Sequence, residues 1–381
     1  MLGGGQLGAM FAATARRMGY RVAVWDPDRD APGHRWADHS FASAFDDDET
    51  YDRFANLVGV VTYEWENIPI GLCERLEEHG PVRPAARILG VVQDRIEQKK
   101  FLHTQGFPVA AFSIMTSPEQ LGRLGELGYP CICKTATAGY DGKGQWKITG
   151  EEDLRLVQTA LHAAARPGSR WIVEKFLDFE RELSLMVVRG VRGEVRVYPL
   201  AENLHEDGIL RRTAVPADVS AGVAAEATAL AERLVSALEG VGVFCLELFL
   251  MRNGELVVNE VAPRPHNSGH YTLDACTVSQ FEQQARAVCG LPLGEVRLLS
   301  PAAMINLIGD EGERVCVEPD LSELLAVPGA VPHLYGKRTV RARRKMGHVT
   351  FVAPLLETAV ARADAFRSRL ARFAPDSVKQ S

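Results

Sequence analysis

Two glutamates and the polar loop behind them are the residues of this chain best spaced for chemistry. Glu247 and Glu260 lie on β-rich runs that flank Asn253-Gly254. Asn-Gly between apolar runs predicts a two-residue hairpin loop, because both turn positions need positive φ. That loop pairs Arg252 with Glu255, Leu250 with Val257, Leu248 with Asn259 and Glu247 with Glu260. Carboxylates placed so would have Cβ atoms about 5 Å apart. Such close like charges repel, and Cys245 and Phe249 share their face, so a plain solvent face is the weaker reading. The stronger one is a divalent cation between them, Mg²⁺ carrying a nucleotide's phosphates. A slip of one residue would destroy the pair.

Pro263-Arg264-Pro265-His266-Asn267-Ser268-Gly269-His270 follows at once and is too polar and proline-stiffened for a core element. Its Arg, two His, Asn and Ser suit an anion. A self-satisfied turn is the plainer alternative. Upstream, a strand over 129–134 ends in Lys134 and leads into Ala138-Gly139-Tyr140-Asp141-Gly142-Lys143-Gly144-Gln145. So many glycines exclude an element interior. The stretch is either an exposed hairpin or a loop whose amides and Lys cover phosphates, and the second cation at Lys134 favours the phosphate loop. A strand over 170–173 followed by Glu174-Lys175-Phe176-Leu177 could be a hinge that receives an adenine. Glu202-Asn203-Leu204-His205 after Pro199 reads by itself as a surface loop.

The elements that must position these groups begin with Gly3, Gly5 and Gly8, which satisfy G-x-G-x-x-G. A helix over 6–18, a strand over 21–25 and then Asp26 complete a dinucleotide-binding pattern, although a single phosphate or mere tight packing would also explain the glycines. Only Met1 and Leu2 precede the loop, where a buried parallel strand commonly has about 5 residues. The expectation is therefore a reading frame that begins upstream of Met1. A second buried strand over 58–62 leads to Tyr63-Glu64-Trp65-Glu66-Asn67, acids suitably placed for a ligand at a strand's carboxyl end. Two helices fill 85–106, an Ala-rich helix spans 221–239, another helix runs over 279–290, and a strand follows over 302–308. The basic run around Lys337 and Arg341–Lys345 is either a solvated face or a phosphate clamp.

The chain has 381 residues and a net charge of −6, from 43 basic and 49 acidic side chains. That length allows two or three domains, and the mild acidity argues against nucleic acid as a partner. No apolar run reaches membrane-spanning length. The seven cysteines show no C-x-x-C spacing, so a disulfide framework or zinc site is not expected. With no signal peptide either, a cytoplasmic location is expected.

Taken together, the Lys before a glycine-rich loop, the candidate hinge and the carboxylate pair resemble the ATP-grasp superfamily. Gly3–Gly8, Tyr63-Glu64, Gly139–Gln145, Glu202-Asn-x-His205, Asn259–His270, Ser279–Gln283, Tyr335-Gly336-Lys337 and Arg344–His348 are similar, in order along nearly the whole chain, to the 5-(carboxyamino)imidazole ribonucleotide synthases. The resemblance implies a mixed α/β and α+β ATP-grasp fold. A doubly wound parallel-sheet domain would occupy 1–98, the small lobe 99–182, the large lobe 183–300 and a β-rich subdomain 301–381. It also implies carboxylation of 5-aminoimidazole ribonucleotide in purine synthesis with ATP, Mg²⁺ and bicarbonate, through carboxyphosphate and without biotin, by a homodimer. By the same likeness Arg95, Lys134, Gly139, Tyr140, Asp141, Gly142, Lys143, Gly144, Gln145, Glu174, Lys175, Phe176, Leu177, Glu182, His205, Asn259 and Glu260 would hold ATP. Glu247 and Glu260 would hold the metal. Arg264, His266, Asp141 and Lys143 would serve catalysis. Gly5, Gln6, Leu7, Glu64, Asn267, Ser268, Lys337 and Arg344 would meet the ribonucleotide and bicarbonate. On the regular pairing above, Asn259 falls on the face opposite the carboxylates, so its role requires a bulge or twist.

Two positions depart from the pattern: Ala9 stands where the family usually has Arg, and Arg341-Ala-Arg-Arg-Lys345 replaces Arg-Pro-Gly-Arg-Lys. Within the superfamily the rival is a formate-dependent glycinamide ribonucleotide formyltransferase, whose loop usually has Glu where Gln6 stands. A nicotinamide-dependent oxidoreductase would rest on the first 26 residues alone, and a non-catalytic nucleotide-binding regulator would leave both carboxylates and both lysines idle.

Overall fold

The computed structural model describes residues 1–137, 144–309 and 322–372. Gly139, Tyr140, Asp141, Gly142 and Lys143, the centre of the expected phosphate loop, lie outside the described residues.

The N-terminal part is parallel, as expected. Strand β1 (Ala23–Trp25) pairs with β2 (His39–Phe41), and Leu2 bridges Trp25 on one side and Tyr63 on the other, all parallel. The expected strand over 58–62 is instead an extended segment held by isolated bridges, Val61 with Val82 and Tyr63 with Leu2. The helix Gln6–Arg17 packs on this layer through Leu7, Phe11, Ala12 and Ala15.

A four-stranded antiparallel sheet comes next, in the order β3 (Phe112–Met115), β6 (Trp171–Lys175), β4 (Cys131–Thr135), β5 (Gln145–Ile148). Strand β6 runs further than the sequence suggested, so Glu174 is a strand residue opposite Ile132 and the hinge begins after Lys175. The larger sheet has the order β12 (Leu256–Ala262), β11 (Gly242–Met251), β7 (Phe179–Arg189), β9 (Ala201–Glu206), β10 (Ile209–Val215), β13 (Ala302–Ile308), β15 (Lys345–Val352), β14 (Ala330–Leu334), with β8 (Val195–Val197) on the flank of β7. The C-terminal strands thus continue this sheet, and β7 carries the chain across position 182 without a break. Glu202–His205, which read as a loop, is strand β9, because Asn203 faces both Glu182 and Thr213 in the sheet interior. Beneath the sheet the helix Ala221–Leu238 packs on β7 and β8, with Leu230, Leu234 and Leu238 in one core with Leu183, Leu185 and Val187. Each such side chain contributes roughly 1.5–3 kcal/mol of burial.

Hairpin β11–β12 departs instructively from the sequence expectation. Only Gly254, at φ +88, has positive φ in the turn; Asn253 does not. The Met251 N–H donates to Glu255 O at 2.9 Å, so the loop has three residues, Arg252 to Gly254. Every pair nearest the turn is shifted accordingly: Leu250 faces Leu256, Phe249 faces Val257 and Leu248 faces Val258. A β-bulge at Asn259 then takes up the extra residue, and Glu247 does face Glu260.

Candidate active-site cleft

A cleft of about 800 Å³ lies between the two antiparallel sheets and the N-terminal layer. Nineteen of the expected residues line it: Gly5, Gln6, Leu7, Glu64, Arg95, Lys134, Gln145, Glu174, Lys175, Phe176, Leu177, Glu182, His205, Glu247, Asn259, Glu260, Arg264, His266 and Asn267. Successive strand residues normally point to opposite faces. Asn259 and Glu260 nevertheless both reach the cleft, because the bulge turns Asn259 to the side of its neighbour.

The two carboxylates are in different electrostatic states. Burial raises the pKa of Glu247, but His266, His205 and Arg264 outweigh it and hold the group down at about 2. His266 Nε2 is 3.1 Å from Glu247 Oε1. Glu260 is raised, first by burial and then by the negative Glu247, with Arg95 opposing. Its side chain is ringed by protein yet open to the cleft, so the desolvation is that of a cleft floor and not of a sealed core. A proton or a cation is therefore favoured between them.

Arg264 is half-buried and pairs with Glu66 at 2.5 Å, while its Nη1 donates to Pro265 O at 3.0 Å. The loop that carries it is held from below. Gln280 accepts the His266 N–H and returns a bond to His266 O, both at 2.8 Å. Ser268 does not line the cleft; it lies beneath, bonded to His266 Nδ1 at 2.9 Å and Ser184 at 2.8 Å. Asn267 is buried at the cleft wall, and neither of its amide atoms has a partner among the described residues. A buried amide left so is a place a ligand's polar atom fits.

On the nucleotide side, Lys134 and Lys99 approach the same oxygen of Glu174, at 3.1 and 3.4 Å. Burial raises the Glu174 pKa and the two lysines more than reverse it, so the carboxylate stays charged. Arg95 Nη1 donates to Thr135 O at 3.0 Å, which seats the guanidinium beside β4. Glu182 and His205 are in ion-pair contact at 2.5 Å, off-line for a hydrogen bond. Burial lowers the His205 pKa, and Glu182 raises it by more. Phe179 and Phe249 stack face to face at 4.3 Å on the same wall and, with Leu177, give an apolar patch in the cleft. Gly144, at φ +69, packs against the Thr135 side chain outside the cleft proper.

At the N-terminal side the glycine loop meets an acid and not open space. Glu64 accepts the Gly5 N–H with one oxygen and the Gly8 N–H with the other, the latter at 2.6 Å. A Cβ at Gly5 would lie 2.5 Å from Glu64 Oε1, which accounts for the glycine. Asp26, the acid of the dinucleotide pattern, accepts the Gly4 N–H at 2.6 Å. Both acids thus hold the loop itself, which removes the basis of the nicotinamide reading. Lys337 donates to Gln6 Oε1 and to Lys345 O, each at 2.7 Å. Arg344 does not reach the cleft, and its Nη1 donates to Thr339 O at 2.9 Å. Its neighbour Lys345 lines the cleft instead. Glu66, Asn67 and Lys345 line the cleft as well; the sequence pointed to them only as members of the acidic stretch 63–67 and the basic run 341–345. Lys99 had no assigned role, although it lies one helical turn after Arg95 and so shares its face.

Opposed carboxylates, a lysine-clamped strand pair and an apolar patch between two antiparallel sheets define an ATP-grasp protein. Residues 100–281 match the ATP-grasp domain, residues 1–93 the ribonucleotide synthetase preATP-grasp domain, and residues 302–362 the phosphoribosylaminoimidazole carboxylase C-terminal domain. The chain is 43% identical over 353 residues to the N5-carboxyaminoimidazole ribonucleotide synthase of Bacillus subtilis, covering 92% of this chain and 90% of that one. Its structure superposes with TM-score 0.90, at 41% identity over 96% of this chain and 94% of the other, on the ADP complex of an N5-carboxyaminoimidazole ribonucleotide synthetase. The Aspergillus clavatus synthase in complex with ADP and 5-aminoimidazole ribonucleotide gives TM-score 0.87 at 31% identity, with 98% of each chain covered. The chain belongs to the N5-carboxyaminoimidazole ribonucleotide synthase family.

Proposed function

We propose that this cleft carboxylates 5-aminoimidazole ribonucleotide with bicarbonate at the expense of ATP, giving N5-carboxyaminoimidazole ribonucleotide, ADP and phosphate. The chain is an ATP-dependent ligase of purine biosynthesis by its family. The observation that supports the residue assignment best is the bulge that brings Asn259 and Glu260 together opposite Glu247. These are hard oxygen donors, and the neighbouring Cys245 thiol is pushed far up by burial, so the set fits Mg²⁺ and not a thiophilic ion. Glu247, Glu260 and Asn259 would hold the ion, which when bound neutralises phosphate charge. Lys134 and Arg95 would meet the phosphates, and Leu177 with Phe179 and Phe249 the adenine. Arg264 and His266 already hold the carboxylates of Glu66 and Glu247, so each is built to hold a carboxylate-like anion, and we assign them to bicarbonate. A bicarbonate oxygen takes the γ-phosphoryl group, ADP departs, and the carboxyphosphate formed breaks to CO₂ and phosphate. The substrate's amine then adds to CO₂ and loses a proton. Lys337, Gln6 and Lys345 would hold the ribonucleotide's phosphate, since Glu64 has taken the loop amides of Gly5 and Gly8. ADP release measured with and without the ribonucleotide and bicarbonate tests the assignment; release independent of both would contradict it.

A homodimer is proposed on the family likeness, and light scattering decides it. Among the described residues no helix is long and apolar enough to cross a membrane. The six described cysteines are free thiols, which supports the cytoplasmic reading.

A further inference from the structure

Strand β12 is the edge of the large sheet, and one helix lies along its open side. From the helix Arg95–Thr104, Gln98 accepts the Val261 N–H at 2.9 Å and donates to Val261 O at 3.0 Å. An amide side chain thus imitates a paired strand at that position. The next residue, Lys99, donates to Asn259 O at 3.3 Å. Both side chains are buried, at 5% and 3% exposure, and neither lines the cleft. Asn259 and Val261 are the residues on either side of Glu260, and Asn259 is the bulge.

We propose that Gln98 and Lys99 are positioning residues for Glu260: together they clamp both flanks of the bulge and so set the register that brings Glu260 opposite Glu247. The proposal rests on the reading of that pair as the metal site. The Pro108–Val109 segment bridges this edge at Val258 alone, so from Asn259 onward no strand fixes the bulge, and a slip of one residue would turn Glu260 to the other face. The clamp supplies the missing neighbour. Lys99 also contacts Glu174 of β6, and Arg95 of the same helix is the cation that acts most strongly on Glu260. One helix therefore ties the hinge strand of the small sheet to the carboxylates of the large one.

The test uses the full chain and two volume-matched variants, Lys99→Met and Gln98→Leu, with ADP affinity measured by calorimetry in Mg²⁺ and in EDTA. In the wild type Mg²⁺ should strengthen ADP binding. Both variants should shrink that metal-dependent gain by about tenfold and raise the Mg²⁺ needed for half-maximal ADP release by a similar factor, with KM for the ribonucleotide unchanged. Only Lys99→Met should also weaken ADP in EDTA, through Glu174. Lys99→Arg, which keeps a donor for Asn259, should retain the gain to within about threefold. The clamp is overturned if either folded variant keeps the wild-type gain and loses only thermal stability, or if Lys99→Arg is as deficient as Lys99→Met. A wild type that shows no gain would instead refute the metal site itself.

Discussion

Glu247 stands opposite Glu260 although every pair between them and the turn is displaced by one residue from a two-residue loop. The three-residue turn shifts the register, and the bulge at Asn259 shifts it back. Two departures from regular pairing cancel at the position where the chemistry needs them to.

Replacing Glu260 by Gln should leave the protein folded and nearly abolish ADP formation. The mutation keeps the shape of the protonated side chain and removes one hard oxygen ligand. Even supporting groups around a metal cost about 10–100-fold in affinity when lost, so a ligand should cost at least that. Wild-type turnover at low Mg²⁺ would refute the assignment.

Lys337→Ala should raise KM for the ribonucleotide far more than KM for ATP. The amine bridges Gln6 and Lys345 at the mouth of the cleft, away from Glu174 and Lys134. A charge-assisted bond is worth roughly 1.5–3 kcal/mol, or about ten- to a hundredfold. Arg344→Ala should change either constant by less than the Lys337 variant does, because Arg344 is turned to Thr339. Equal effects on both substrates would count against the phosphate role.

Acid should uncover the work of His266 on Glu247. A carboxylate depressed in the fold contributes stability that is complete above its unfolded pKa and lost as pH falls through its folded one. For Glu247 that window runs from 4.5 down to about 2. The thermal midpoint of the wild type should exceed that of Glu247→Gln by a margin that narrows across this window. A margin constant with pH would show that Glu247 is not held ionised by its cationic neighbours.

The turn offers a check independent of activity. Gly254→Ala should destabilise by about 1 kcal/mol, because φ +88 is strained for any L residue. Asn253→Ala should cost less, since it loses only a side-chain bond to the Glu255 N–H at 3.1 Å. Chemical denaturation of both variants measures the difference, and equal losses would point to a two-residue turn after all.

Most of the architecture was legible in the chain by itself, because it rests on local physics. Apolar, β-rich runs marked β11 and β13, the Ala-rich stretch marked its helix, and glycine clusters marked the places where no element could continue. The types and order of the acids, lysines and histidines were enough to point to a nucleotide cleft. What the sequence could not carry was set by partners distant along the chain. Glu64 caps the helix Gln6–Arg17 through Gly5 and Gly8, which takes up the anion site that a glycine loop advertises. Strand β9 looked like a loop because its polar residues are satisfied across the sheet, as Thr213 is by Asn203 at 2.9 Å. The bulge sits where residues distant in sequence meet the outer edge of β12, with Gln98, Lys99 and Pro108 bonded to its backbone. A sequence states which residues can bond; only packing brings a helix side chain to the one carbonyl whose place fixes the register.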